Sequence, residues 1–333
     1  MAESKSNRNK TLDMSVEDGK EYLAHCLCFD SEKPFTTEQI KDKTINGNTF
    51  KVLPCLPKAF ADLAIVDPPY NLSKNYAGNK FNERSMKTYA SYTKEWLGLV
   101  LPLLKPDATL YVCCDWKSSV TIADVLFEME EEKKLCVQNR ITWQREKGRG
   151  SLSNWKNGME DIWYCTLPSK TGSFSSYTFN LDAVKLRRRV VAPYKEDGKP
   201  KDWTRSENGG FRDTCPSNFW DDISIPFWSM SENTAHPTQK PEKLIAKLIL
   251  ASSNKGDIVL DPFLGSGTTS VTAKKLARHY VGIEQSEQYC VWAEKRLSDA
   301  EIDKSIQGYT DGVFWERNTL GVQKKAALNK EQL

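Results

Sequence analysis

The sequence predicts an α/β fold, a mostly parallel sheet with helices on both faces, and three observations predict it. Between residues 108 and 144 short apolar runs alternate with one long segment of helical period. Two other apolar runs, residues 63–66 and 258–260, each stop at an Asp-Pro pair, as buried strands do at the edge of a sheet. An amphipathic helix, residues 242–251, leads into the second of those runs. Strand-helix alternation of this kind builds parallel sheets, because a parallel crossover needs a covering helix.

The elements follow in order. Residues 1–20 are polar and expected to be disordered, and residues 21–42 offer a short helix and a loop. Residues 44–48 read as a strand, and Phe50 to Leu56 as a turn and short helix before the buried strand 63–66. Residues 71–84, rich in Asn, Ser and Gly, sit where an active-site lid would sit. Tyr92, Trp96, Leu99, Val100 and Leu103 give residues 89–104 a helical stripe that ends at Lys105-Pro106. Strand 108–114, helix 118–131 and strand 135–144 come next, then a mobile basic loop at 146–151 and strand 161–167. Residues 170–232 show no sustained period and are expected to be loop-rich. After helix 242–251 and strand 258–260 come a glycine turn, a helix at 270–276 and a strand at 280–283.

Composition narrows the function classes. A chain of 333 residues suits one large α/β domain with insertions, or two domains. Hydrophobic residues make up 39%, and no apolar run approaches the ~20 residues of a membrane span. The opening MAESKSNRNK lacks the apolar core of a secretory signal, and nine scattered cysteines read as reduced thiols rather than a disulfide framework. His25-Cys26-Leu27-Cys28 has no second cluster at ligand spacing, so no metal site is expected. Net charge is +3, so any nucleic-acid surface must be local. The basic residues at 184–205 are one candidate; a solvated face is the plainer reading.

Two motifs carry chemistry. At Asp67-Pro68-Pro69-Tyr70 the prolines end a strand and leave carbonyls without ladder partners. A carboxylate, free carbonyls and a flat ring together suit a planar heterocycle held by its exocyclic amino group. The second motif, Asp261-Pro262-Phe263-Leu264-Gly265-Ser266-Gly267-Thr268-Thr269, lies between a strand and a helix, where glycines let backbone approach a ligand. One strand later Glu284 stands 17 residues after Gly267, placed to hold two ribose hydroxyls. The full dinucleotide glycine pattern is absent, which favours a nucleoside without phosphates, and S-adenosylmethionine fits. Residues 170–232 interleave bases with Tyr177, Phe179, Tyr194, Trp203, Phe211, Phe219 and Trp220, which suits either a nucleic-acid-reading insertion or a structural one.

With His236-Pro237-Thr238-Gln239-Lys240-Pro241 and Gly282-Ile283-Glu284 added, the chain resembles the S-adenosylmethionine-dependent DNA amino-methyltransferases of the β subgroup, in which the D-P-P-Y motif precedes the cofactor motif. The resemblance spans residues 44–299 apart from 170–232. It implies a Rossmann-like methyltransferase fold with seven strands, one of them reversed. It divides the chain into an N-terminal extension (1–43), a catalytic half (44–169), a target-recognition region (170–232), a cofactor half (233–300) and a C-terminal extension (301–333). By resemblance Asp67, Pro68, Pro69 and Tyr70 are catalytic, while Asn48, Asp67, Thr238, Lys240, Asp261, Phe263, Gly265, Ser266, Gly267, Thr268 and Glu284 hold S-adenosylmethionine, Lys240 pairing with its methionine carboxylate. Asn48 replaces the usual Asp that accepts from the cofactor's adenine amino group. Lys147, Arg149, Arg187, Arg188 and Arg189 are the candidate DNA contacts, and Trp143 is more often core than contact.

The implied reaction is methylation of adenine N6 in a base flipped out of double-stranded DNA. Relatives acting on cytosine N4 more often carry Ser where Asp67 stands. Methylation of RNA or of a protein glutamine, and a non-catalytic nucleic-acid-binding subunit, are the remaining alternatives. A cognate restriction endonuclease, a homodimer, no membrane association and a bacterial cytoplasmic, nucleoid-associated location complete the implied picture.

Overall fold

In the computed structural model the described residues are 6, 8–30, 33–76, 79–145, 152–190, 194–206, 209–319, 321 and 323. Nine strands form one sheet, in the spatial order Leu27–Cys28, Lys43–Asn46, His279–Glu284, Ile258–Asp261, Ala61–Val66, Leu104–Asp115, Met159–Thr166, Cys136–Gln144 and Phe219–Trp220. Seven of these are the expected strands, and a two-residue strand is added at each edge. Met159–Thr166 is antiparallel to both neighbours and every other pairing is parallel, so one strand is reversed as the resemblance implies.

The central strand, Ala61–Val66, is buried along nearly its whole length because both faces of the sheet are covered. Ala64 and Val66 point into one core with Trp96, Leu97, Ile122 and Leu126, whereas Leu63 and Ile65 meet Leu244, Leu248 and Val271 in the other. The helices Met86–Val100 and Trp116–Glu131 supply the first core. Ser85 and Asp115 cap them, accepting from the backbone of Thr88 and Ser118 at 3.1 and 2.9 Å. Glu242–Ser252 and Thr268–Lys275 cover the opposite face, joined by the end of Glu287–Ile302.

Three regions depart from expectation. Residues 170–232 are not simply loops. Leu186–Arg189, Thr204–Ser206 and Gly209–Thr214 form a second sheet, completed by Tyr309–Thr310 and Val313–Trp315 from the C-terminal extension. These strands are short and rich in arginine, and Leu186–Arg189 pairs on one side with Val313–Trp315, more than a hundred residues away, so no local period marks them. The N-terminal stretch, expected to be disordered, is tied to the rest of the fold from Lys10 onward, where Lys10 N donates to Trp228 O at 2.6 Å. Leu12 pairs with Thr234, and Met14 O accepts from Trp292 Nε1 at 2.8 Å. The polar stretch after Tyr70 forms a two-stranded ribbon, Lys74–Tyr76 with Asn79–Phe81, and buried Asn71 ties its ends by exchanging hydrogen bonds with the Arg84 backbone at 2.7 and 2.9 Å. No helix among the described residues is long and apolar enough to cross a membrane.

Candidate active site

Parallel strands bring their carboxyl ends to one edge, and here that edge gathers three acids from distant parts of the chain. Asp67 follows Val66, while Asp261 ends the adjacent strand and Glu284 the strand beyond that, Asp261 in register with Gly282 and Glu284 with Asn46. The helices after Ala61–Val66 and Ile258–Asp261 leave toward opposite faces, which opens a crevice between adjacent strands. A cavity of about 290 Å³ fills it.

The glycine turn builds one wall. Gly265 and Gly267 have φ of 56° and 87°, which side chains of L-residues rarely adopt. A Cβ on Gly265 would stand 3.2 Å from His236 Nε2, and one on Gly267 only 2.7 Å from Ala293 Cβ. Gly265 therefore lines the cavity, whereas Gly267 lets Thr268–Lys275 close on Glu287–Ile302 and does not reach the cavity. Gly265 N donates to Glu284 Oε2 at 2.9 Å and Ser286 N to Oε1 at 2.8 Å. Burial raises the Glu284 carboxyl to about 7 against the pull of those bonds. Burial likewise raises Asp261 to about 7, although Thr269 and Phe263 N bond to it. The other expected cofactor residues, Asn48, Asp67, Thr238, Lys240, Phe263, Ser266 and Thr268, all line the cavity with Asp261 and Glu284. Asn48 caps the helix Thr49–Val52: its Oδ1 accepts from Phe50 N at 3.1 Å and its Nδ2 donates to Gln285 Oε1 at 3.3 Å.

Pro68, Pro69 and Tyr70 form the opposite wall with Asp67. Lys240 Nζ lies 2.7 Å from Asp67 Oδ2, 2.9 Å from Tyr70 Oη and 3.2 Å from Glu160 Oε2. Tyr70 Oη lies 2.9 Å from Asp67 Oδ1 and 3.2 Å from Glu160 Oε2. Glu160 Oε1 in turn accepts from Arg145 Nη1 at 2.7 Å. Burial opposes the Lys240 charge, but Asp67 and Glu160 outweigh it and hold its pKa above the ordinary value. Burial, then those same two acids, push the Tyr70 hydroxyl well up, so it stays a protonated donor. An ammonium has three protons and these three acceptors match them, so Lys240 is committed to Asp67 and its neighbours rather than held open for another carboxylate.

Glu160 and Arg145 had no place in the site read from sequence. A signal existed: Glu160 is the second residue of Met159–Thr166, a strand buried from Glu160 to its end, and an acid is costly there unless paired. Trp143 is core, its Nε1 donating to Ile223 O at 3.0 Å. Arg187 makes a two-pronged bond to Asp213, both arms 2.7 Å, and lies over the Trp315 ring; Arg188 stands 3.5 Å from Asp221, and the Arg189 residue is exposed. None of the three lines the cavity. Lys147 and Arg149 lie outside the described residues.

Residues 61–295 match the family model described as DNA methylase. Type II methyltransferase M.HpaI of Haemophilus parainfluenzae is 34% identical over 261 residues, 78% of this chain and 75% of its own. DNA adenine methyltransferase YhdJ of Escherichia coli (strain K12) is 29% identical over 77% of this chain and 82% of its own. Among solved structures, the cytosine-N4-specific PvuII DNA methyltransferase shares the fold with a TM-score of 0.55 at 17% identity, covering 79% of this chain and 92% of its own. TTHA0409 of Thermus thermophilus, complexed with S-adenosyl-L-methionine, shares it with a TM-score of 0.52 at 17% identity, over 83% and 98%.

Proposed function

Because this chain belongs to the DNA methylase family, we propose that it transfers a methyl group from S-adenosylmethionine to the exocyclic N6 of an adenine turned out of double-stranded DNA. One observation carries the reading. Asp67-Pro68-Pro69-Tyr70 and the Gly265–Glu284 region, nearly two hundred residues apart, wall a single cavity. The acid at position 67 and the relative named an adenine methyltransferase favour adenine over cytosine.

The residues present fit the methyl donor. Gly265 leaves open a cradle that a Cβ would fill, Glu284 has a carboxylate at the cavity wall whose oxygens can accept beyond their backbone bonds, and Phe50, Phe263 and Ile283 offer apolar walls for a purine. When bound, S-adenosylmethionine supplies an electrophilic methyl group whose bonding electron pair stays with sulfur as the methyl leaves. Glu284 would take the ribose hydroxyls and Asn48 the adenine amino group, with Thr238, Phe263, Ser266 and Thr268 around the rest.

The nitrogen of an aromatic amine is a poor nucleophile because its lone pair is delocalised into the ring. Asp67 and the Pro68 carbonyl, accepting its two N–H bonds, favour a tetrahedral nitrogen whose lone pair forms the new N–C bond. They also stabilise the positive charge that develops there. The surplus N6 proton leaves through the Asp67 carboxylate, whose side chain is 24% exposed, to water. Tyr70 supplies a flat wall for the flipped base, and fixed alignment supplies the proximity gain.

The wider assignments are part of the same proposal. Arg187, Arg188 and Arg189, on the second sheet, and Lys147 and Arg149 in the sequence after Arg145 would meet the DNA backbone. Residues 170–232 would read the target, joined in this structure by the strands at 309–315. A restriction endonuclease of the same specificity, and a homodimer, are the proposed companions. Incubation with methyl-labelled S-adenosylmethionine and unmethylated DNA, followed by digestion to nucleosides, should place the label in N6-methyladenine. Label in N4-methylcytosine would move the substrate to cytosine, and no transfer would remove the reading.

A further inference from the structure

We infer that Glu160 is a second functional carboxylate of this site, a positioning residue that balances the Lys240 ammonium and so keeps Asp67 available to the target nitrogen. The inference rests on the methyl-transfer reading and deepens it. A cation 2.7 Å from Asp67 is a problem for that reaction. A nitrogen hydrogen-bonded to Asp67 would lie about 3 Å from the carboxylate, hence within about 6 Å of the ammonium. An uncompensated unit charge at that distance, at an effective dielectric near 20, opposes the developing cation by a factor on the order of a hundred in rate.

Glu160 removes the problem in two ways. Its side chain is 6% exposed and its Oε2 lies 3.2 Å from Lys240 Nζ, while Arg145 fixes Oε1, so two carboxylates face two cations and the cluster sums to zero. It is also the alternative acceptor. Tyr70 has one proton and two carboxylates within reach, Asp67 Oδ1 at 2.9 Å and Glu160 Oε2 at 3.2 Å. When the target amino group takes up Asp67, the Tyr70 hydroxyl can turn from Asp67 Oδ1 to Glu160 Oε2 and keep a hydrogen bond. The adjacent Asp161 does not share this role, since its Oδ1 accepts from Thr142 Oγ1 at 2.8 Å.

Charge and shape make opposite demands, and two variants separate them. Glu160→Gln keeps the shape and loses the charge; Glu160→Asp keeps the charge and shortens the reach. The inference expects kcat to fall about a hundredfold in Glu160→Gln and less than about tenfold in Glu160→Asp, with Kd for S-adenosylmethionine and KM for DNA within about twofold of wild type in both. Adding Lys240→Met to Glu160→Gln should raise kcat above that of Glu160→Gln alone, because the unbalanced ammonium is gone. Glu160→Gln matching or exceeding Glu160→Asp, a double variant no better than the single, or loss of S-adenosylmethionine binding in both single variants would each overturn it and leave Glu160 a structural residue. Wild type is assayed alongside: if it transfers no methyl group the underlying reading fails, whereas normal turnover by Glu160→Gln defeats only the role of Glu160.

Discussion

Lowering the pH from 8 to 6 should weaken S-adenosylmethionine binding about tenfold, and the reason is Glu284. Burial raises its carboxyl to about 7 from an ordinary 4.5. A ribose hydroxyl is held best by a charged acceptor, and the ionised fraction falls from about nine tenths at pH 8 to about one tenth at pH 6 when the pKa is about 7. Stability should run the other way. A carboxyl raised in the folded state stabilises the protein below its unfolded pKa, and that stabilisation is lost as pH climbs through about 7. The gap between 4.5 and about 7 corresponds to about 3 kcal/mol, so the ligand-free protein should be more stable at pH 5.5 than at pH 8 as far as this group is concerned. Asp261, also raised to about 7 by burial, adds to the same trend. Titration calorimetry across this range, in buffers of different ionisation enthalpy, reads both Kd and the proton released on binding. A Kd flat between pH 6 and 8, or a dependence that persists undiminished in Glu284→Gln, would refute the reasoning.

Three other perturbations have definite outcomes. Asn48→Asp keeps the cap on Phe50 N and offers a charged acceptor, so Kd for S-adenosylmethionine should fall about three- to tenfold; an unchanged or higher value contradicts the assignment of Asn48. Gly267→Ala would force a Cβ to within 2.7 Å of Ala293 Cβ at a φ of 87°, and should cost about 2–4 kcal/mol in a denaturant melt. Neutralising Arg187, Arg188 and Arg189 together should weaken DNA binding and reduce its salt dependence by about one to two released ions rather than three, because Asp213 already engages Arg187. Unaltered affinity and slope would place the DNA elsewhere.

Sequence reasoning succeeded where cause and effect are local. Proline after Val66 ends a strand whatever surrounds it, and the glycine turn after Asp261 needs only its own backbone angles, so both motifs and the strands before them were legible. The stripe from Tyr92 to Val100 marked its helix for the same reason. What stayed hidden depends on pairing between distant segments. Leu186–Arg189 is a strand because Val313–Trp315 and Gly209–Thr214 flank it, and nothing near residue 186 announces either partner. Leu12 is ordered by Thr234 in the same way. In the site, Lys240 was legible as a motif residue but not as the partner of Asp67, because that contact joins residues 173 apart. Glu160 was missed because its meaning lies in Arg145, Tyr70 and Lys240, which only the folded chain assembles around it.

Expression in a bacterial host that lacks DNA methylation, followed by sequencing that distinguishes N6-methyladenine from N4-methylcytosine, tests adenine methylation by this chain outright, with Asp67→Ala in parallel. The wild-type chain should leave N6-methyladenine at one defined sequence, and the Asp67→Ala genome should be unmodified while the purified variant still binds S-adenosylmethionine. An unmodified genome in cells that contain soluble wild-type protein, or methylation that persists without Asp67, would contradict the account.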